Sequence, residues 1–173
     1  RQPGDAATWA DGLGITLTDI QSADAVLLMG LADDASEDAY RRELDIALQK
    51  GLTVYCSNPD LASPRGDGSV VISPGKLAHD HQARGGKVVF YGKPHKPIFQ
   101  SVETALGTTR LLMIGDSLDH DIKGAAGSAW DSVFVMGGLY AQAFAGKDPV
   151  DVLTSLVQSK ATPDPTFIIE TVQ

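Results

Sequence analysis

The stretch Arg110 to Gly127, RLLMIGDSLDHDIKGAAG, limits what this 173-residue chain can become more than any other. Leu111 to Ile114 is a short apolar run of the kind that forms a buried parallel strand. Gly115 interrupts it, and Asp116, Asp119 and Asp121 follow within six residues. Ile122, Ala125 and Ala126 then recur at the spacing of a helix face. A strand, a tight turn, an acidic loop and a helix put carboxylates at the carboxyl end of a strand, where open α/β sheets bind ligands. Such oxygens suit a hard ion like Mg²⁺, which takes one or two carboxylates and completes its shell with water or phosphate. The same aspartates also suit plain helix capping, with the side chains satisfying free N–H groups. On this stretch alone both readings stand.

A second stretch bears on the choice. In Tyr91-Gly92-Lys93-Pro94-His95-Lys96-Pro97 a lysine sits in a Gly/Pro-framed loop, and Pro97 is placed to open a helix. An ammonium group and a helix N-terminus there would converge on one anion.

Together the two stretches resemble the haloacid dehalogenase superfamily, specifically its class IIA phosphatases with a C2-type cap. Lys93 in GKPHKPIF matches that family's third motif, and Asp116 and Asp121 in GDSLDHDI match its fourth. The likeness runs over most of the chain and includes Asn58-Pro59-Asp60 after an apolar strand.

The resemblance implies an α/β fold: part of a doubly wound, Rossmann-like parallel sheet, plus an α/β cap. Residues 1–86 would be most of the C2-type cap, and residues 87–173 the carboxyl-terminal half of the core. It also implies a Mg²⁺-dependent phosphomonoester hydrolase acting through an aspartyl-phosphate on a small phosphorylated metabolite. Lys93 would offset the charge of phosphate and nucleophile, Asp116 would hold Mg²⁺, and Asp121 would orient that site. Asp119 could lie near the metal or outward. Asn58 and Asp60, which alone read as ordinary turn formers, would lie in the cap with a structural or substrate-facing role.

One departure from the family pattern matters. Its first motif, an apolar strand followed by Asp-x-Asp that supplies the nucleophile, has no counterpart ahead of the cap region, and neither does its second, a strand-end Ser/Thr. Hydrolysis of a phosphate monoester can require acceleration of up to ~10²¹, about 29 kcal/mol. One ammonium beside phosphate contributes only about 4 kcal/mol at an effective dielectric near 20. The chain alone is therefore expected to be inactive. A preceding segment of the same protein, or a partner chain, would complete both sheet and site. A non-catalytic relative working as a binding or assembly module is the alternative. A receiver-like or flavodoxin-like domain would also place Asp at strand ends, but the GKPHKP loop speaks against it.

The rest of the chain narrows the class. A net charge of −8 argues against an electrostatic grip on nucleic acid or an anionic membrane. No apolar run approaches the ~20 residues that span a bilayer. The single cysteine, Cys56, excludes an internal disulfide and reads as a buried thiol, consistent with a reducing cytoplasm.

In chain order, a helix around 6–13 is expected first. Then come a strand at 25–29, a helix capped by Ser36 and stopped by Gly51, and a strand at 52–56. SPRGDGS (63–69) reads as a loop, 70–72 as a strand, and 74–84 as a helix whose His79 and His81 point to solvent. From Lys87 onward strands and helices alternate, with strands at 87–91, 111–114, 132–136 and 167–169. The helix after Lys93 is expected to bury Ile98, Val102, Ala105 and Leu106.

Overall fold

The computed structural model describes residues 10–31, 37–64 and 70–172. The Ser36 cap, residues 6–9 of the expected 6–13 helix and residues 65–69 fall outside them. Contacts divide the chain into two compact units, 1–92 and 93–173.

The first unit is built on a parallel three-stranded sheet. Strand β1 (Ala25–Leu28) lies beside β2 (Thr53–Cys56), and β2 lies beside β5 (Lys87–Phe90). The register aligns Val26, Val54 and Val88 in one row and Leu28, Cys56 and Phe90 in another. Parallel strands need crossovers, here supplied by helix α1 (Glu37–Lys50) and helix α2 (Pro74–Ala83). Both helices cover the face those rows present. Leu44 of α1 and Leu77 and Ala78 of α2 join Leu28, Val54 and Cys56 in one core. The alternate residues Leu27, Val89 and Tyr91 remain exposed. Between β2 and α2, Ala62–Pro64 (β3) and Val70–Ile72 (β4) pair antiparallel, so Ser63 and Pro64, expected in a loop, lie in a strand. Lys50, in the last turn of α1, donates to the carbonyls of Ile20, Gln21 and Ala23, at 3.2, 2.6 and 3.1 Å. Cys56 is buried as expected, and burial pushes its thiol pKa up.

Strand β5 departs from expectation. Its apolar run was read as opening the second region, yet it hydrogen-bonds to β2. The division therefore falls at Gly92/Lys93 rather than after Gly86. Apolar content specifies a buried strand but not which neighbour it pairs with.

His81 is the other correction in this unit. It is 1% exposed, not solvated. Leu77, Ala78 and His81 share the inner stripe of α2, because residues three and four apart stack on one helix face. Neither ring nitrogen has a hydrogen-bond partner among the described residues. Gly86 lies so close that a Cβ there would come within 2.1 Å of the ring. Burial holds the imidazole pKa below its usual 6.5; Arg84 lowers it further, and Asp45, ion-paired to Arg84 at 2.6 Å, opposes this.

The sign of the linkage follows. Below about pH 6.5 the unfolded chain binds a proton that the folded chain resists. Stability is thus full above that pH and falls as the pH drops through the window below it. Denaturation midpoints of the wild type are expected to decline between pH 7 and 5, and His81→Leu to flatten that decline. Equal slopes in the two proteins would contradict the assignment. Asp80, whose carboxyl is held low first by Lys76, titrates below its usual 3.8 and so outside that window.

The second unit carries another parallel sheet, in the order β6 (Leu112–Gly115), β7 (Asp131–Val135), β8 (Phe167–Ile169). Helix α3 (Lys96–Leu106) precedes β6, with Pro97 in its first turn and Gly107 as a left-handed cap at φ 65°. Its inner face differs from expectation. Phe99 is buried, whereas Ile98 and Leu106 are exposed. Phe99 meets Trp130 edge-on, 5.0 Å between ring centres, and the Trp130 indole N–H donates to Glu103 at 2.8 Å. Between β6 and β7 the chain makes one π-helical turn, Leu118–Ile122, then α4 (Lys123–Gly127). The short α5 (Ala141–Phe144) and α6 (Pro149–Lys160) lie between β7 and β8. Asp148 caps α6 by accepting from the amides of Val150 and Asp151. Leu118, Ile122, Phe134 and Val157 form the core here, with Tyr140, Phe144, Leu153 and Leu156 packed around it.

Strand β6 ends the sheet. Among the described residues no strand pairs with its other edge. Leu112 and Ile114 are 49% and 53% exposed, unusual for parallel strands, which are normally covered on both faces.

Candidate active site

The carboxyl end of β6 gathers the acidic residues. Gly115 closes the strand and Asp116 follows. The chain then enters the π-helical turn, a form often found at functional sites. Ser117 caps that turn, its Oγ accepting from the amide of His120 and lying 2.9 Å from the His120 ring. The wide turn brings Asp121 back over the strand end, where it is 3% exposed. Its Oδ2 accepts from the amide of Ser117 at 3.1 Å, and its Oδ1 meets the Lys93 ammonium at 2.5 Å. Gly115 leaves room for this return, since a Cβ there would lie 2.2 Å from the Asp121 carboxylate.

Lys93 and Asp116 do not touch directly. They are joined through Asp121, which holds the lysine with one oxygen and the amide following Asp116 with the other. The expected convergence at one strand tip therefore has a specific intermediary. Lys93 keeps 48% of its side chain exposed, so its charge still reaches solvent and any ligand there.

Asp116 is oriented by a contact that the residue types did not announce. The amide of Leu139 donates to its Oδ2 at 2.8 Å. Gly138 permits this approach, because a Cβ at that position would sit 2.3 Å from the same oxygen. The Gly137-Gly138 pair reads in the sequence as a strand stop. That it follows a parallel strand neighbouring β6 is the signal that could have marked it. Gly138→Ala is expected to displace the carboxylate, abolishing the Leu139 hydrogen bond while leaving the core cluster intact. Amide exchange would check this, with fast exchange at Leu139 against unchanged protection in β7.

The three carboxylates are not equivalent. Asp121 is engaged on both oxygens, and Asp119 is ion-paired with Lys160 at 2.5 Å. Asp116 retains one oxygen with no hydrogen-bond partner among the described residues. No group of three His, Cys, Asp or Glu side chains able to enclose a metal occurs among them. Asp119 also keeps its Oδ1 open, but Asp116 is the one of the three with no ammonium partner among the described residues. Such a carboxylate fits a magnesium-like ion, which takes most of its shell from water and phosphate. It does not fit an all-protein cage of the zinc or calcium type.

Asn58 and Asp60 lie in the first unit. The Asn58 side-chain oxygen accepts from the amide of Asp60 at 3.1 Å, forming an Asx turn at the end of β2. The Cys56 thiol donates to the carbonyl of Asn58 at 3.2 Å. Tyr55 and Tyr91 sit 6.1 Å apart on the same sheet.

Comparison with known proteins agrees with this architecture. The HAD-hydrolase-like family model matches residues 90–172. A dihydroxyacetone phosphatase from Corynebacterium glutamicum (strain R) is 28% identical over 91 residues, 51% of this chain and 33% of that protein. The crystal structure of a haloacid dehalogenase-like hydrolase from Brucella suis 1330 is 29% identical, with a TM-score of 0.67 over 92% of this chain and 59% of that one. A glycerol phosphate phosphatase from Mycobacterium tuberculosis, solved in complex with calcium, has a TM-score of 0.63 at 23% identity, over 87% of this chain and 41% of that one. The chain thus spans about a third of the curated relative and just over half of the bacterial hydrolase.

Proposed function

We propose that this chain, whose residues 90–172 match the HAD-hydrolase-like family model, forms part of a Mg²⁺-dependent phosphomonoester hydrolase acting on a small phosphorylated metabolite. The observation that carries the reading is the Lys93–Asp121–Ser117 chain of hydrogen bonds at the strand end that also presents Asp116.

In this reading the Lys93 ammonium meets the phosphate of the substrate, and Asp121 fixes the direction of that ammonium. Asp116 contributes one oxygen to the ion. A bound divalent ion adds positive charge against the phosphoryl oxygens, the kind of stabilisation on which phosphoryl transfer depends. The attacking carboxylate comes from outside the described residues. We place its source in a preceding segment of the same protein or in a partner chain, lying along the open edge of β6. The exposed Leu112 and Ile114 support that placement, since a further strand with its crossover would cover them. In this reading the first unit serves as a C2-type cap.

A second reading, a non-catalytic binding or assembly module of the same fold, draws on the lack of any three-ligand metal cluster among the described residues. Hydrolysis of p-nitrophenyl phosphate separates the two. The 173-residue chain alone is expected to be inactive. The same chain mixed or fused with a strand-forming Asp-x-Asp segment is expected to turn over in the presence of Mg²⁺ and to lose that activity on chelation. Absence of turnover in a fusion that folds would favour the module.

A further inference from the structure

We propose that Lys160 is a positioning residue for the Asp116 carboxylate, tying the acidic turn to the loop that follows β7. The inference rests on the functional reading above only for its consequence, ion binding; the tie itself is a matter of geometry. Asp116 lies where two segments meet, the turn of residues 117–122 and the loop of residues 137–140, and the Leu139 amide is the hydrogen bond between them. Lys160, the last residue of α6, reaches both. Its ammonium lies 2.5 Å from Asp119 Oδ2 and 5.7 Å from the centre of the Tyr140 ring. Tyr140 directly follows Leu139 and packs on Phe134 at 5.9 Å, so its position is passed to the core as well.

A second consequence concerns the charges. Two lysines engage two of the three aspartates: Lys93 takes Asp121 and Lys160 takes Asp119. Asp116 is left as the carboxylate with no ammonium partner among the described residues. Asp119 is the charged neighbour that bears on Lys160, while Lys160, Asp119 and Asp116 all bear on Tyr140. The pairing with Asp119 raises the Lys160 pKa, so the ammonium persists across the neutral range. Burial pushes the Tyr140 phenol up, so the ring stays neutral there.

The test compares Lys160→Met and Lys160→Arg in the 173-residue chain by two readouts. The first is amide hydrogen exchange at Leu139, measured against Val133 and Phe134 in β7. The second is titration with Mg²⁺ alone. Lys160→Met is expected to accelerate exchange at Leu139 selectively. It is expected to shift Mg²⁺ affinity by no more than about two- to fivefold, the worth of a partly exposed ion pair, because the Asp119 carboxylate it releases offsets the looser hold on Asp116. Lys160→Arg is expected to restore both. Unchanged Leu139 exchange in the Met variant, or equal acceleration across β7, would overturn the proposal. If Leu139 responds as stated while the wild type binds no Mg²⁺, the tie stands and the ion-dependent reading of the site falls.

Discussion

Asp116→Asn is expected to lower the proposed phosphatase turnover, read in the Asp-x-Asp fusion, by about 10²–10³-fold, with its melting temperature nearly unchanged. The magnitude is that of removing one group aimed at charge developing in the transition state. Asp116 suits this role because one oxygen is fixed by the Leu139 amide while the other has no partner among the described residues. The substitution keeps an oxygen to accept from Leu139, so the fold should tolerate it. What disappears is the negative charge offered to the ion. Lys93→Ala is expected to fall in the same range, and Asp121→Asn to act largely through Lys93. The Lys93→Ala/Asp121→Asn double variant should therefore lose much less than the product of the two single losses, as residues that work as a unit do. Steady-state kinetics over a Mg²⁺ series would check this. A wild-type-like rate in Asp116→Asn would remove Asp116 from the mechanism.

The largest stability loss is expected at Phe134. Its side chain is fully buried in the middle of β7, against Leu118 and Ile122 of the π-helical turn and Val157 of α6. The Tyr140 and Phe144 rings lie 5.9 and 6.0 Å away. Truncation to Ala removes the shared centre of these elements and leaves a cavity that the parallel strands on either side of β7 cannot close. Phe-to-Ala changes in such settings cost about 3–5 kcal/mol. For a unit of this size each kcal/mol lowers the melting temperature by roughly 4–8 °C. The loss should appear as a lower denaturant midpoint for the second unit. The acidic turn should loosen with it, because Leu118 and Ile122 anchor that turn to β7 through Phe134. A loss below about 1 kcal/mol, the scale of an ordinary surface change, would mean that this core is not the one that holds the turn.

Much of this was legible in the sequence, for reasons that can be stated residue by residue. Strands β6, β7 and β8 announce themselves as short apolar runs between Gly, Pro and Asp. Pro97 and Gly107 bracket α3, and Asp148 with Pro149 opens α6. The residue types at the site were legible as well, because Lys93, Asp116 and Asp121 belong to motifs with recognisable spacing. Backbone chemistry was not legible. The Leu139 and Ser117 amides that set the two carboxylates carry no side-chain signature. The π-helical turn, which returns Asp121 to the strand end, differs from an α-helical start by one residue per turn.

Pairing partners were equally hidden. Lys87–Phe90 reads as a strand in any context, and only the three-dimensional register with Thr53–Cys56 assigns it to the first unit. For His81 the information was present. Two histidines two apart do not face each other on a helix, yet the spacing from Leu77 already put His81 on the inner stripe. On α3, Phe99 rather than Ile98 turns inward because Trp130 offers it a ring to pack on. That contact spans 31 positions of sequence, and local periodicity cannot see it.

In the proposed site Lys93 and Asp116 serve one phosphorylated ligand and its ion. The most direct test of that shared role is an NMR titration of the 173-residue chain with Mg²⁺ and inorganic phosphate together. The signals of Lys93, Gly115 to Asp121 and Leu139 are expected to move along one binding curve, and Lys93→Ala and Asp116→Asn each to weaken binding. Shifts confined to other residues, or separate curves for Lys93 and Asp116 that neither variant couples, would contradict it.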